Sequence, residues 1–367
     1  MDQEHRGRND YQQYAAEPYN KAANLFKVHS WLPFYTDLDE NNLSIDYQSI
    51  RPGIMLFSQN LLSTAFSTLS YRYDNGYHIF RPSFTFRGAY PVFNITATLG
   101  GPVSVLPYPE EVTLPELRSY YKNVTVKTYV PLFFNNGRYL KVIQPQLEYE
   151  WSNTFYYNDI LRSGISWIHL KLFTYRYLRS SHRDLYPRWG QFISLTYTDT
   201  PSDNEQFGSL WSARADFYFP GILKHHSLRF NAGYQRQTLQ RFYLPINRIS
   251  FPRGYPNTMA EEFMKAGIDY AFPFLYPDFS LSWLLYIKRL TANIFFDLSY
   301  GTNIQEIKND TRESYSGVYD AAGIELFADI HLFRIMFPIR AGIRYSYLPM
   351  MNAHDIQWLF TVDTNIF

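Results

Sequence analysis

The residues best placed to do chemistry are Arg253, Asp269 and Asp297. Arg253 lies in Ile249-Ser-Phe-Pro-Arg-Gly-Tyr-Pro256, ahead of two runs, 263–272 and 290–300, that each carry one Asp among alternating apolar residues. Two carboxylates could share general acid and base work. A guanidinium beside them favours their charged forms and opposes the acid role, so a structural ion pair is the stronger reading. Other chemistry is thinly represented. His225 and His226 are adjacent and would point to opposite sides of a strand, which is not metal-ligand spacing. There is no Gly-x-Ser-x-Gly elbow, Walker loop or Rossmann glycine pattern. Zero Cys removes thiol nucleophiles, disulfides and cysteine metal sites. The expectation is a non-enzyme with no metal and no cofactor.

The elements that would position these residues follow from composition. The 367 residues carry a net charge of +1, a hydrophobic fraction of 46% and an aromatic fraction of 19%. Large rings favour strands and membrane interfaces. No stretch approaches the roughly 20 apolar residues of a spanning helix, and the mean hydropathy is −0.32. A helical membrane protein is therefore excluded, and near-neutral charge without a Lys/Arg-rich run argues against nucleic acid. The start, Met1-Asp-Gln-Glu-His-Arg, lacks a basic segment followed by an apolar one, so an exported chain would have its leader upstream or already removed.

Residues 1–42 read as a polar lead-in broken by Pro18 and Pro33. From Leu43 to Phe367, alternating runs recur. In Lys122 to Val130 the apolar set is Val124, Val126 and Val130; in Leu210 to Phe219 it includes Trp211, Ala213 and Phe217; in Ser227 to Gln235 it includes Leu228, Phe230 and Tyr234. The opposite faces mix both signs of charge with small polar residues. A soluble sheet with one wet face alternates too. These runs, however, reach the length of a tilted membrane crossing, and short turns alternate largely with long loops, as outer-membrane barrels require. The expectation is all-β: a transmembrane antiparallel β-barrel of about 16 strands at 43–367, with Asp74-Asn-Gly76 closing one tight hairpin. Strand parity then turns Asp269 and Asp297 into the lumen, where buried carboxylates need a partner. Arg253 can supply it only if its loop folds back into the barrel. Parity also places Arg214, Arg229, Arg340 and Arg344 inside. They could form an anion-selective ladder, although acids on the same strands favour a mixed network.

Arg253-Gly254-Tyr255, Gly267-Ile-Asp-Tyr-Ala-Phe-Pro273 and Phe295-Phe-Asp-Leu-Ser-Tyr-Gly301 together resemble the C-terminal half of BamA-like barrels, outer-membrane assembly and translocation proteins. The resemblance implies that Arg253, Gly254 and Tyr255 tip a loop between the eleventh and twelfth strands, with Asp269 and Asp297 as lumen anchors. More loosely, Leu25 to Trp31 and Pro52 to Leu62 resemble Bacteroidetes proteins in which a TolB-like propeller precedes the barrel. Both likenesses imply an outer-membrane protein that contacts lipid, and with it client proteins or other envelope subunits, and assists insertion or translocation without covalent chemistry. A passive pore and a structural anchor are the alternatives. Phe367 fits a C-terminal aromatic signal, although Trp358 and Phe360 lie on the opposite parity; a bulge or a swung-out last residue would reconcile them.

Overall fold

A computed structural model describes residues 25–35, 51–103 and 120–362, apart from 135–136, 159, 180, 182–183, 202–206, 239, 241–246, 257, 259, 305–313 and 333–338. It is one antiparallel sheet of eighteen strands. The first nine are β1 (Val28–Tyr35), β2 (Arg51–Gln59), β3 (Ala65–Asp74), β4 (Tyr77–Phe86), β5 (Val92–Pro102), β6 (Tyr120–Tyr129), β7 (Leu132–Phe133), β8 (Tyr139–Asn158) and β9 (Ile160–Leu178). The rest are β10 (Gly190–Asp199), β11 (Leu210–Pro220), β12 (Ser227–Gln237), β13 (Ala260–Leu275), β14 (Phe279–Leu281), β15 (Leu285–Ile304), β16 (Ser314–Leu332), β17 (Ile339–Leu348) and β18 (Ala353–Val362). The two-residue β7 and three-residue β14 are short ribbons on β8 and β15, so β6 pairs with β8 and β13 with β15. Sixteen full strands remain, each hydrogen-bonded to its sequence neighbour.

The alternation runs apolar outward and polar inward. Val124, Val126, Trp211, Phe230, Ile294 and Phe296 are exposed, whereas Asn123, Ser212, Gln235, Asn293 and Asp297 are buried. An apolar face this continuous belongs against hydrocarbon, with the polar residues satisfying one another inside. Successive connections alternate between the two ends of the sheet. The turns 60–64, 87–91 and 221–226 join strands at one end; the described ends of β5 and β6, of β12 and β13, and of β15 and β16 that are next in sequence lie at the other, together with the tight hairpin at Asn75 and Gly76, whose positive φ angles suit a two-residue turn.

The segment expected as an irregular lead-in contributes β1, which pairs with β2. Its signal is scrambled because Pro33 interrupts it and the register shifts twice, between Val28 and Ser30 and between Leu32 and Phe34. Leu32 and Tyr35 nevertheless pack with Met55 into a buried cluster. Among the described residues β1 pairs only with β2 and β18 only with β17, so the sheet is not closed between its ends. Their outward rings show it: Trp31 is 61% exposed and Trp358 68%, against 44% for Trp211 within the sheet.

Candidate functional site

Between β12 and β13, residues 247–256 fold inward and carry Arg253 to the polar face of β13, β15 and β16. Arg253 Nε and Nη2 donate to the two carboxylate oxygens of Asp297 at 2.8 and 2.9 Å, and its backbone N–H donates to Asp297 Oδ2 at 3.1 Å. Nη1 donates to Asp269 Oδ1 at 2.6 Å and lies 3.5 Å from Glu325 Oε1. One planar fork thus bridges carboxylates on three strands, an arrangement a point-charge Lys could not reproduce. Phe295 closes the site from below, its ring centroid 3.7 Å from Arg253 Cζ, a cation–π contact.

Sheet register explains the convergence. Asp269 is opposite Phe295, and Asp297 is opposite Gly267, so all four share the inner face. A side chain at 267 would bring Cβ to 2.6 Å from Asp297 Oδ1; glycine there leaves room for the carboxylate. Asp297 and Asp269 side chains are 0% and 3% exposed, so their charges depend on this pairing. Lys265 Nζ adds a contact to Asp297 at 3.4 Å and donates to the Phe251 carbonyl at 3.2 Å.

The structure brings the other inward basic residues into the same network. Arg229 binds Asp216 at 2.6 Å and approaches Asp269 at 3.9 Å, while Arg214 lies 3.2 Å from Asp216. Arg344 binds Glu325 at 2.6 Å and donates to Gln357 Oε1 on β18 at 3.1 Å. Arg340 lies 3.8 Å from Asp329 and donates to Thr291 Oγ1 at 3.2 Å. Each has an acidic neighbour, so these arginines form a mixed network and not a bare basic ladder.

Gly254 adopts φ +95°, a left-handed conformation suited to glycine, and a Cβ there would meet Leu348 at 3.0 Å, Ser346 at 3.2 Å and Asp355 at 3.5 Å. The loop tip therefore lies flat against β17 and β18. Tyr255 packs against Tyr319 with ring centroids 5.4 Å apart, and against the cluster of Phe295, Ala321 and Leu348. Burial pushes the Tyr255 hydroxyl above its ordinary pKa. Trp358 points outward on β18; the Phe360 side chain and Phe367 lie outside the described residues.

Two features were missed by sequence reasoning. Phe295 breaks no alternation, but an apolar residue on an inward position carries no sign of its cation–π role. Arg248, at the other end of the loop, reaches the opposite wall: its Nη2 donates to His169 Nδ1 on β9 at 3.0 Å and to Thr198 Oγ1 on β10 at 3.3 Å. Buried Ile249 and Phe251, packed on Phe263, fill the span between the two arginines. No spacing rule connects Arg248 to a His 79 residues earlier.

An inward-facing polar network, a lipid-type outer face and an in-folded loop define a large antiparallel barrel of the outer-membrane kind. No family model and no curated relative matches the sequence. Among solved structures the chain is similar to CdiB from Escherichia coli, with a TM-score of 0.52 and 13% identity over 92% of this chain and 67% of that one. BamA from Haemophilus ducreyi lacking POTRA domains 1–3 aligns at a TM-score of 0.49 and 11% identity, over 93% and 76%. The similarity to CdiB is one of fold.

Proposed function

We propose that this chain is an integral outer-membrane barrel of the BamA-like superfamily that assists insertion or translocation of envelope proteins. The observation that carries this reading is the pair of end strands, β1 and β18, each paired with one neighbour among the described residues, beside a loop tip seated on β17 and β18. Unpaired strand edges offer a row of backbone donors and acceptors to an incoming strand. A clasp of buried ion pairs next to that seam keeps the wall in register while the edges exchange partners. The work is noncovalent; no nucleophile or cofactor is required. The partners are lipid, client outer-membrane proteins and other envelope subunits, and the narrower likeness to propeller-preceded Bacteroidetes barrels belongs to the same proposal.

Photo-crosslinkers at Trp31 and Trp358, one on each edge, test it during assembly of newly made envelope proteins. Adducts with those clients at both positions are expected. Clean absence of clients would sink the insertion reading and favour a structural anchor.

A further inference from the structure

We propose that Glu148, Glu150 and His169 form a binding site for a divalent transition cation such as zinc, and that its occupation breaks the contact between Arg248 and His169. The second half rests on the loop acting as a brace; the first does not. One ligand atom from each of the three residues lies within 4.8 Å of the others. Register creates the cluster: Glu148 is opposite His169 on β9, and Glu150 follows two residues later on the same face of β8.

Two details point to a cation and not merely to an ion pair. The His169 Nε2 to Glu150 Oε2 distance is 3.5 Å. That is long for an N–H···O bond, yet close to the roughly 3.3 Å edge of a tetrahedron built on metal–ligand bonds of about 2.0–2.1 Å. The second is Gln146, on the same face of β8 and buried, whose Nε2 donates to Glu148 Oε2 at 3.1 Å while its Oε1 is buried with no hydrogen-bond partner. A buried oxygen left unsatisfied this close to the Glu148 carboxylate is a lone pair that a bound cation would take up. Mixed imidazole and carboxylate donors suit zinc better than calcium or magnesium, which take oxygen ligands.

The coupling follows from the two ring nitrogens. Arg248 can only donate, so His169 Nδ1 accepts its hydrogen bond, and the Thr198 hydroxyl donates to the same nitrogen at 2.9 Å. The ring proton therefore sits on Nε2, which faces Glu150. A cation on Nε2 displaces that proton, which moves to the Nδ1 lone pair, with no net release. Nδ1–H then donates to Thr198 Oγ1 and can no longer accept from Arg248. The metal charge also repels the guanidinium. Zinc and Arg248 thus compete for one histidine, and the loop keeps its Arg253 anchor while the opposite one is weakened to the Thr198 Oγ1 contact and the Gln235 hold on the 248 and 249 amides.

Zinc chloride titrated calorimetrically into the full chain in detergent micelles tests this at fixed pH. One site per chain is expected, weakened at least ten-fold in both Glu150→Gln and His169→Gln. Arg248→Gln should bind several-fold more tightly, because the competitor is gone. Folding of each variant is checked by heat-dependent gel mobility, and Glu148→Gln replaces any that fails. Zinc binding unchanged in the folded Glu and His variants overturns the site. Binding weakened there but unchanged in Arg248→Gln overturns the coupling and leaves the brace reading untouched.

Discussion

At the scale of single residues, the molecule turns on how one guanidinium neutralises several buried carboxylates. Removing one member of a buried ion pair leaves an uncompensated charge and costs on the order of 3–5 kcal/mol. Arg253→Ala should therefore lower the denaturant midpoint of the folded barrel markedly, read by gel mobility. Arg253→Lys should recover only part of the loss, since one ammonium cannot span Asp269 and Asp297 at once. The double variant Arg253→Ala with Asp297→Asn should lose less than Arg253→Ala alone, because one stranded charge has gone. Equal losses would mean that the clasp is not where the stability resides. Arg253, Asp269 and Asp297 were legible in the sequence because parity is a strict geometric rule and a lumen acid demands a partner. Phe295, Arg248 and His169 were not, because a cation–π floor and a cross-lumen contact leave no period behind.

At the scale of elements, long alternating strands such as β11, β12 and β13 were read to within a few residues, since one face meets hydrocarbon and the other a polar lumen. β1 was not, because a proline and two register shifts hide its period. β15 and β16 also run to 20 and 19 residues, longer than the roughly 9–11 of a crossing, since pairing continues beyond the apolar band. Turns carry their own ties. At the short-turn end, Asp184 in the connection 179–189 meets His225 Nδ1 in the connection 221–226 at 2.8 Å. Burial pushes the Asp184 carboxyl upward, but contacts from His225, the Ser181 amide and Arg188 outweigh it and leave the pKa below its ordinary value. A depressed carboxylate contributes stability that is present above its unfolded pKa near 4 and is lost as pH falls through its folded value. Asp184→Asn should thus speed amide exchange in 179–189 by roughly five-fold at neutral pH, about 1 kcal/mol. The gap from the native chain should narrow below about pH 4. Identical exchange at pH 7 would show that the tie holds nothing.

At the scale of the whole molecule, the question is what a barrel of sixteen full strands does with its interior. Barrels of this size leave an aqueous channel when nothing fills them. Here the loop crosses from Arg248 on the β9 and β10 wall to Arg253 on β13 and β15, with Ile249 and Phe251 buried between. The polar network continues from Asp216 on β11 to Gln357 on β18, and a cleft of about 390 Å³ opens beside Arg253. A brace so placed suits the proposed role, in which the wall stays in register while its end strands exchange partners, whereas in a pore the same loop would narrow the channel. Planar-bilayer recordings separate the two. The native chain should show low, fluctuating conductance, and Arg253→Ala combined with Arg248→Gln should raise it several-fold by freeing both ends of the loop. A large, steady conductance in the native chain that neither substitution alters would mean that the loop lines a permanent pathway, and the passive-pore reading would replace assembly.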